Sequence, residues 1–529
     1  MEHSSQHKAR RCGEVGRQLA GRTSRTALLS ILAGAGACFA SPALAQSAVQ
    51  IQQLQDQIKQ LQQQLDIVKN QQTADEQKTS AAAPASNSIP VSRSDDGSLQ
   101  IGSFNLKFGG FTEFATIYRT RNEAADVGTD FNGIPFPNTA RSNESELRFS
   151  ARQSRISGLL STDVDKDTHL SAYVESDFLG ASDVSNSRES NSYLPRLRQF
   201  FATIENSAWG FHFLAGQAWS LITTNMVGIT PRSEQVPLTI DAQYVPGFNW
   251  ARTPQARFVE DFGHGIWAGV SVESPQSLVG GNNPNGTAFA SNQANPNANN
   301  PGDGTGLFSS NQQFTTDTYP DVIAKLAVDT SFGHFELKGI ERIFTDRFNG
   351  VNHDTVGGGV GFAAAFHVIP KYLDLQTSML AGYGIGRYGS GQINDVSFNT
   401  AGAFVATPEI EALVGLIGHP MTGTDVYVYA GLENVDSTGT PSGAGFGASN
   451  VNNRGCEIEL PTAGTCGALT HRLEQITGGF WHDIYKGSFG RVAIGAEGSY
   501  TKRFTFPGQG GAPNVDEGVF MTSFRYYPF

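Results

Sequence analysis

The 529-residue chain has few charged residues, few cysteines and no long apolar segment beyond its first 45 positions. Only 16% of the residues are charged, with 37 basic against 49 acidic ones. The lack of a later apolar run of about twenty residues excludes a helical membrane protein, and the acidic balance argues against nucleic acid as a partner. The chain also lacks the G-x-S-x-G, H-E-x-x-H and G-x-x-x-x-G-K-[ST] motifs, so we expect no catalytic centre, no metal and no other cofactor.

The N-terminal residues have the composition of an export signal. Six basic residues come before an apolar stretch from Ala27 to Ala40. The sequence Ala43-Leu44-Ala45 follows it, with a small residue at its first and last positions. This predicts a secretory signal peptide over residues 1–45, cleaved after Ala45. Lipidation at Cys38 is a disfavoured alternative, because no bulky residue lies three positions before it.

Two cysteines remain after that cleavage, Cys456 and Cys466. They lie close together in a Gly-rich part of an exported chain, which predicts a disulfide bond between them. A free or metal-bound pair is the less favoured alternative.

Apolar residues recur at alternating spacings of three and four in a Gln-rich segment after the leader. The seam positions are Ile51, Leu54, Ile58, Leu61, Leu65 and Val68. They predict a periplasmic coiled coil over residues 46–70, too short to form without another contact between the chains. A solvated Gln-rich helix is the alternative. Residues 71–98, rich in Ala, Ser, Asp and Gln, predict a flexible linker.

From residue 99 onward, apolar and polar residues alternate in short segments. In the first segment Phe104, Phe108 and Phe114 share one face, while Glu113 and Arg119 share the other. One apolar and one polar face suit a wall between lipid and water. The chain also has 60 glycines, 35 phenylalanines and a C-terminal Phe529. Together with the alternation, they predict an all-β transmembrane barrel over residues 99–529. We expect the barrel-assembly machinery to bind at Phe529.

Loop lengths indicate the number of strands. Short connections at 161–166, 206–208, 262–264, 331–333 and 368–371 alternate with long ones at 120–145, 180–193, 220–250 and 276–319. The segment 396–418 fits two strands broken at Pro408 or one long strand, and only the single strand keeps the Cys456/Cys466 loop on the side of the other long loops. The sequence therefore predicts a sixteen-stranded antiparallel barrel with an aqueous lumen.

Basic residues concentrate on the predicted strands of this acidic chain. They are Arg148, Arg152, Arg196, Arg198, Arg252 and Arg257, with Arg342 on a later strand. Arginine rings in a narrow pore select anions, because a guanidinium stays charged and can hold a carboxylate with two hydrogen bonds. The alternative is that these arginines only pair with luminal acids such as Glu175 and Asp177. Arg155 has the opposite parity and needs a bulge or a rim position to avoid lipid.

The long loop from Leu221 to Trp250 contains three prolines and several apolar residues. The sequence allows two positions for this loop. Either it folds into the lumen as a constriction, or it covers the outer mouth of the barrel.

Seven segments follow one another in an order typical of one known family. They are the heptads from Ile51 to Val68, Ala151-Arg152-Gln153-Ser154-Arg155, Glu175-Ser176-Asp177-Phe178, Arg196-Leu197-Arg198-Gln199, Leu214-Ala215-Gly216-Gln217-Ala218-Trp219-Ser220, Arg252-Thr253-Pro254-Gln255-Ala256-Arg257 and Tyr526-Tyr527-Pro528-Phe529. With this order the chain resembles the DcaP-like trimeric outer-membrane porins over most of its length after the leader. The extended leader and the Cys456/Cys466 loop depart from that family.

The resemblance implies a homotrimer in the lipid of the bacterial outer membrane, with its coiled coil in the periplasm. It implies passive diffusion of small organic anions such as dicarboxylates, without cofactor or energy source. The residues that it places at a basic constriction are Arg148, Arg152, Arg196, Arg198, Arg252 and Arg257. Two other functions stay open: a structural protein that tethers the envelope through its coiled coil and, less favoured, a barrel enzyme, for which no nucleophile and base at the lipid boundary are evident.

Overall fold

The computed structural model describes residues 59–60, 62–63, 91–93, 97–180, 193–284, 317–348, 350–459 and 466–529. Contacts divide the chain into one unit from Met1 to Ser88 and a second from Ile89 to Phe529. In the first unit the described residues, Lys59, Gln60, Gln62 and Gln63, are helical and exposed. The six predicted seam positions from Ile51 to Val68 and the predicted cleavage site lie outside the described residues.

The second unit is built on a closed antiparallel barrel. Its first eight strands are β1 (Phe104–Arg119), β2 (Glu146–Ser150 and, after a break, Arg155–Asp163), β3 (Thr168–Gly180), β4 (Leu194–Asn206), β5 (Phe211–Trp219), β6 (Arg252–Asp261), β7 (Ile266–Glu273) and β8 (Asp321–Thr330). The next eight are β9 (Gly333–Phe348), β10 (Val351–Ile369), β11 (Leu373–Tyr383), β12 (Pro408–Met421), β13 (Thr424–Val435), β14 (Thr470–Gly487), β15 (Gly490–Thr505) and β16 (Asn514–Tyr527). The last strand pairs with the first, which closes the barrel. The predicted sixteen-stranded all-β barrel is confirmed.

Alternation along the strands puts the apolar face outside and the charged face inside. Phe149 is 64% exposed and Val360 is 68% exposed, whereas the inward-facing Arg342 and Lys325 are at most 1% exposed. A soluble protein has the reverse distribution, but lipid covers the outer face of a membrane barrel. Among the described residues, no helix is long and apolar enough to cross a membrane.

The two ends of the barrel differ in their connections. Every second connection, from the one between β2 and β3 to the one between β14 and β15, is a short turn. These seven turns all lie at the end where β1 begins. We call this the short-turn end and the opposite one the long-loop end. Before β1, Val91–Arg93 pairs with Leu99–Ile101, which pairs with the start of β1. Residues 91–93, which belong to the predicted linker, are therefore part of the sheet.

The single long strand predicted over 396–418 is wrong in its extent. β12 begins only at Pro408, and the residues before it form a separate hairpin of Val396–Phe398 with Phe404–Ala406. Proline has no N–H to donate to a ladder, so it is suited to the first position of a strand. The number of barrel strands is unaffected, because the hairpin belongs to the connection between β11 and β12.

The predicted disulfide between Cys456 and Cys466 is present in the connection between β13 and β14. Cys456 is buried together with Ile134, Phe136 and Val515. Its carbonyl oxygen accepts a hydrogen bond of 3.0 Å from the N–H of Asn138. The disulfide therefore lies where this loop packs against the loop between β1 and β2.

Candidate functional site: the luminal loop and the arginine wall

The connection from Ser220 to Ala251, which we call the luminal loop, crosses the inside of the barrel. Its backbone N–H groups donate hydrogen bonds to inward-facing carboxylates on separate strands: Leu221 to Glu273 of β7 at 2.9 Å, Asn225 to Glu336 of β9 at 2.8 Å and Ile240 to Glu497 of β15 at 2.8 Å. A loop over the outer mouth could not reach inward-facing side chains on opposite sides of the wall. Of the two positions that the sequence left open for this loop, the structure has the one inside the lumen.

Apolar residues of the luminal loop are buried against the inner wall in three places. Leu221, Ile222 and Ile229 pack against residues of β8, β9 and β11. Val245 and Phe248 pack against β12 and β13, and Ile240 packs against β1 and β16. Burial of these side chains explains why the loop carries so many apolar residues, and it holds the loop in one position.

One glycine of the wall is required for this position. A Cβ atom on Gly431 of β13 would collide with the carbonyl oxygen of Pro246. In the luminal loop, Pro246 is followed by Gly247, which has a positive φ of 87° and donates its N–H to Glu433 at 2.7 Å. The loop backbone thus rests directly on the wall where the wall has no side chain.

On one side of the lumen, β3 and β4 form an arginine wall in which each charge has a partner. Arg196 binds Asp177 through two hydrogen bonds of 2.7 and 3.0 Å. Arg198 donates to Glu175 at 2.6 Å and to Asp177 at 3.1 Å, and its side chain is 4% exposed. The structure thus brings both predicted arginines together with the two acids that the sequence offered as their partners, and these charges are compensated.

Arg155 joins this wall through a bulge. Between the pairs Ala115↔Ser150 and Phe111↔Arg155, β2 has one residue more than β1. The extra residue reverses the parity of β2 and turns Arg155 inward. Its guanidinium lies 3.6 Å from Glu175. The expectation that Arg155 needs a bulge is confirmed.

Arg148 and Arg152 have other partners. Arg148 faces the interior, is partly exposed and binds Glu146 at 2.9 Å. Arg152 lies in the break of β2, binds Asp126 at 2.5 Å and stacks on Tyr193 at 3.6 Å. Among the described contacts they share no ion-pair partner with Arg196 or Arg198, so the structure does not bring all six predicted arginines into one ring.

The two arginines predicted on β6 differ in role. Arg257 is buried and donates to Gln255 at 3.0 Å and to the carbonyl oxygen of Trp219. It therefore fixes the start of the luminal loop.

Arg252 lies over the indole rings of Trp219 and Trp250, at 4.9 and 5.0 Å from their centres, and is partly exposed. Within the part of the chain that the structure describes, no carboxylate pairs with it, and its Nη1 atom has no hydrogen-bond partner. Arg198, Arg196 and Arg155 lie within electrostatic range. The charge of Arg252 is therefore added to the arginine wall without compensation.

A group of glutamates lies on another part of the wall. Glu409 and Glu411 of β12 and Glu433 of β13 are each at most 5% exposed and face the interior. Asn249 of the luminal loop donates to Glu411, and Glu433 accepts from Gly247 and Gly391. The sequence prediction missed these residues as site residues, although the spacing of Glu409 and Glu411 by two places them on one face of a strand.

The comparisons with known proteins point to the same architecture. No protein-family model and no curated protein match the chain. The crystal structure of the outer membrane channel DcaP of Acinetobacter baumannii matches with a TM-score of 0.57 at 16% identity, over 82% of this chain and 99% of that chain. This chain therefore has the fold of that channel, as its resemblance to DcaP-like porins predicts.

Two other solved structures are less similar. An anion-selective porin from Comamonas acidovorans has a TM-score of 0.43 at 11% identity, over 80% of this chain and 99% of that chain. OmpT, an outer membrane protein of Vibrio cholerae, has a TM-score of 0.42 at 9% identity, over 81% of this chain and 98% of that chain.

Among the described residues, no cluster of three or more His, Cys, Asp or Glu has a geometry that could hold a metal ion.

Proposed function

We propose that the protein is an outer-membrane porin, a passive diffusion channel for small hydrophilic solutes that favours organic anions such as dicarboxylates. The closed barrel with a polar interior and an apolar exterior supports a channel across a lipid bilayer. The fold shared with the DcaP channel supports it too. The proposal includes a homotrimer in the bacterial outer membrane, with the predicted coiled coil of residues 46–70 in the periplasm.

The uncompensated charge of Arg252 carries the anion preference. Arg155, Arg196 and Arg198 share the two carboxylates Glu175 and Asp177, so each has an acidic partner and the three together add one net positive charge. Arg252 has two indole rings and no carboxylate around it in the described structure. A carboxylate in the lumen can take the place of the missing partner, because a guanidinium binds carboxylates with directed hydrogen bonds. The neighbouring rings offer an apolar surface for the body of the solute.

The test is the reversal potential of the refolded protein in a planar bilayer under a salt gradient. We expect wild type to prefer chloride over potassium and Arg252→Gln to lose most of that preference. Arg454→Gln, which removes the same charge from an exposed loop residue, serves as the matched control and should behave as wild type. Cation preference in wild type contradicts the anion assignment, and a correctly folded barrel without conductance contradicts the porin.

A further inference from the structure

Histidines paired with carboxylates recur at the short-turn end of the barrel. Five of the seven short hairpins carry such a pair. The distances from His Nδ1 to the carboxylate oxygen are 2.7 Å for His169–Asp163, 3.9 Å for His212–Glu205, 2.7 Å for His334–Asp329, 2.6 Å for His367–Asp374 and 2.7 Å for His419–Asp425. Nothing in the luminal-loop site requires this repetition.

All five pairs lie on the inner face of the wall. His169 is on the same face of its strand as Glu175, which contacts the arginine wall. His419 is on the same face of its strand as the buried Leu413 and Ile417. The side chains of His169, His212, His367 and His419 are 41%, 20%, 56% and 31% exposed, whereas that of His334 is 1% exposed. Four of the pairs therefore meet the water at the mouth of the lumen.

The charges that face these four histidines are mostly acidic. His419 bridges Asp425 and Asp374, and Asp374 also binds His367. Glu205 lies within electrostatic range of His169 and of Arg232 from the luminal loop. Further ionisable groups at this end include the pairs Arg491–Asp483 and Lys166–Asp167, the carboxylates Asp165 and Asp261, the exposed Lys371 and Lys486, and His264 in the turn between β6 and β7. Arginine and lysine keep their charge near neutral pH, so the charge of the mouth changes there only through histidine.

We propose that His169, His212, His367 and His419, with Asp163, Glu205, Asp374 and Asp425, form a second selectivity element at the short-turn mouth of the channel. When the imidazoles are protonated, each compensates a carboxylate, and the mouth admits anions. When they lose their protons, the carboxylates remain as a negative ring that repels anions. This element acts on the flux of the proposed porin and so rests on the proposed function.

The experiment measures the chloride-to-potassium permeability ratio while the pH is changed on one side of the bilayer at a time. Acidification of the short-turn side from about pH 8 to about pH 5 spans the ordinary titration of imidazole. We expect the ratio for wild type to rise by about twofold or more. The variant H169Q/H212Q/H367Q/H419Q should lose this rise, and the single variant His367→Gln, at the most exposed of the four, should lose part of it without risk to folding.

The matched control is H353Q/H471Q, because His353 pairs with Asp346 and His471 with the carbonyl oxygen of Val435, near the long-loop end. This control should keep the full response. A pH-independent ratio in wild type, or a full response in the fourfold variant, overturns the proposal. A channel that prefers cations throughout yet responds to pH contradicts only the proposed anion preference, whereas a barrel that never conducts contradicts both proposals.

Discussion

At the scale of the residue, parity along each strand predicts which side chains face the lumen, but not what they bind. Arg196 and Arg198 share the even spacing of the outward-facing Phe200 and reach the lumen only because β4 has an extra residue between Leu197 and Gln199. Alternation did place the acids Glu175 and Asp177 inside. It could not show that Arg252 has no acidic partner, because its neighbours Trp219 and Trp250 come together only through the fold of the luminal loop. The glutamates of β12 and β13 were missed for the same reason, since the groups that bind them belong to distant loops.

Arg198→Ala should destabilise the barrel strongly. Its removal leaves Glu175 and Asp177 buried without full compensation, which costs about 3–5 kcal/mol for a buried ion pair. Thermal unfolding in detergent micelles would show this as a clear fall in the midpoint. Arg196→Ala is the control, because that side chain is 37% exposed and water can replace it. Equal losses for both variants would contradict the assignment of Arg198 as the buried partner.

At the scale of the element, periodicity predicted the strands well, because each needs only its own sequence to separate a lipid face from a water face. Connections were harder. The hairpin before β12 and the path of the luminal loop depend on contacts between residues far apart in sequence, such as Gly431 with Pro246. The three prolines and apolar residues of the luminal loop allowed two positions for it, and only the structure distinguishes them.

Gly431→Val should displace the luminal loop. The added side chain occupies the place of the Pro246 carbonyl, so the loop must leave the wall. If the loop narrows the lumen, single-channel conductance rises in the variant. Gly498→Ala is the control, since a Cβ atom there meets nothing within 4 Å. Unchanged conductance in a folded Gly431→Val barrel would mean that the loop does not limit the pore.

The loop between β1 and β2 should dock less firmly as the pH rises. Burial, and next the hydrogen bond and charge of Glu517, raises the pKa of Glu123 well above the ordinary value for a glutamate. A group whose pKa is higher in the folded state stabilises that state fully below its unfolded pKa, and the gain is lost as the pH rises through the folded pKa. Limited proteolysis of this loop should therefore accelerate from about pH 5 to about pH 9 in wild type and less so in Glu123→Gln.

The exposed Glu144 of the same loop offers the comparison for that experiment. Glu144→Gln should keep the pH dependence of wild type. A Glu123→Gln protein whose cleavage still accelerates as in wild type would show that another group governs the docking of the loop.

At the scale of the whole molecule, composition, alternation and loop rhythm together predicted the architecture, because a closed barrel constrains all its strands at once. The proposed trimer is a separate question, because most of the predicted coiled coil over residues 46–70 lies outside the described residues. Deletion of residues 46–70 should leave the conductance of each channel unchanged and weaken the trimer, which native electrophoresis can measure. Loss of envelope integrity with unchanged solute uptake would instead favour the tethering function.

The central claim is that the lumen passes small organic anions and that Arg252 favours them. The most direct measurement is the swelling rate of proteoliposomes in succinate, compared with a neutral polyol and an organic dication of similar size. We expect the fastest swelling with succinate in wild type and in Arg454→Gln, and loss of that advantage in Arg252→Gln. Equal rates for all three solutes in wild type, or an undiminished succinate advantage in Arg252→Gln, would contradict it.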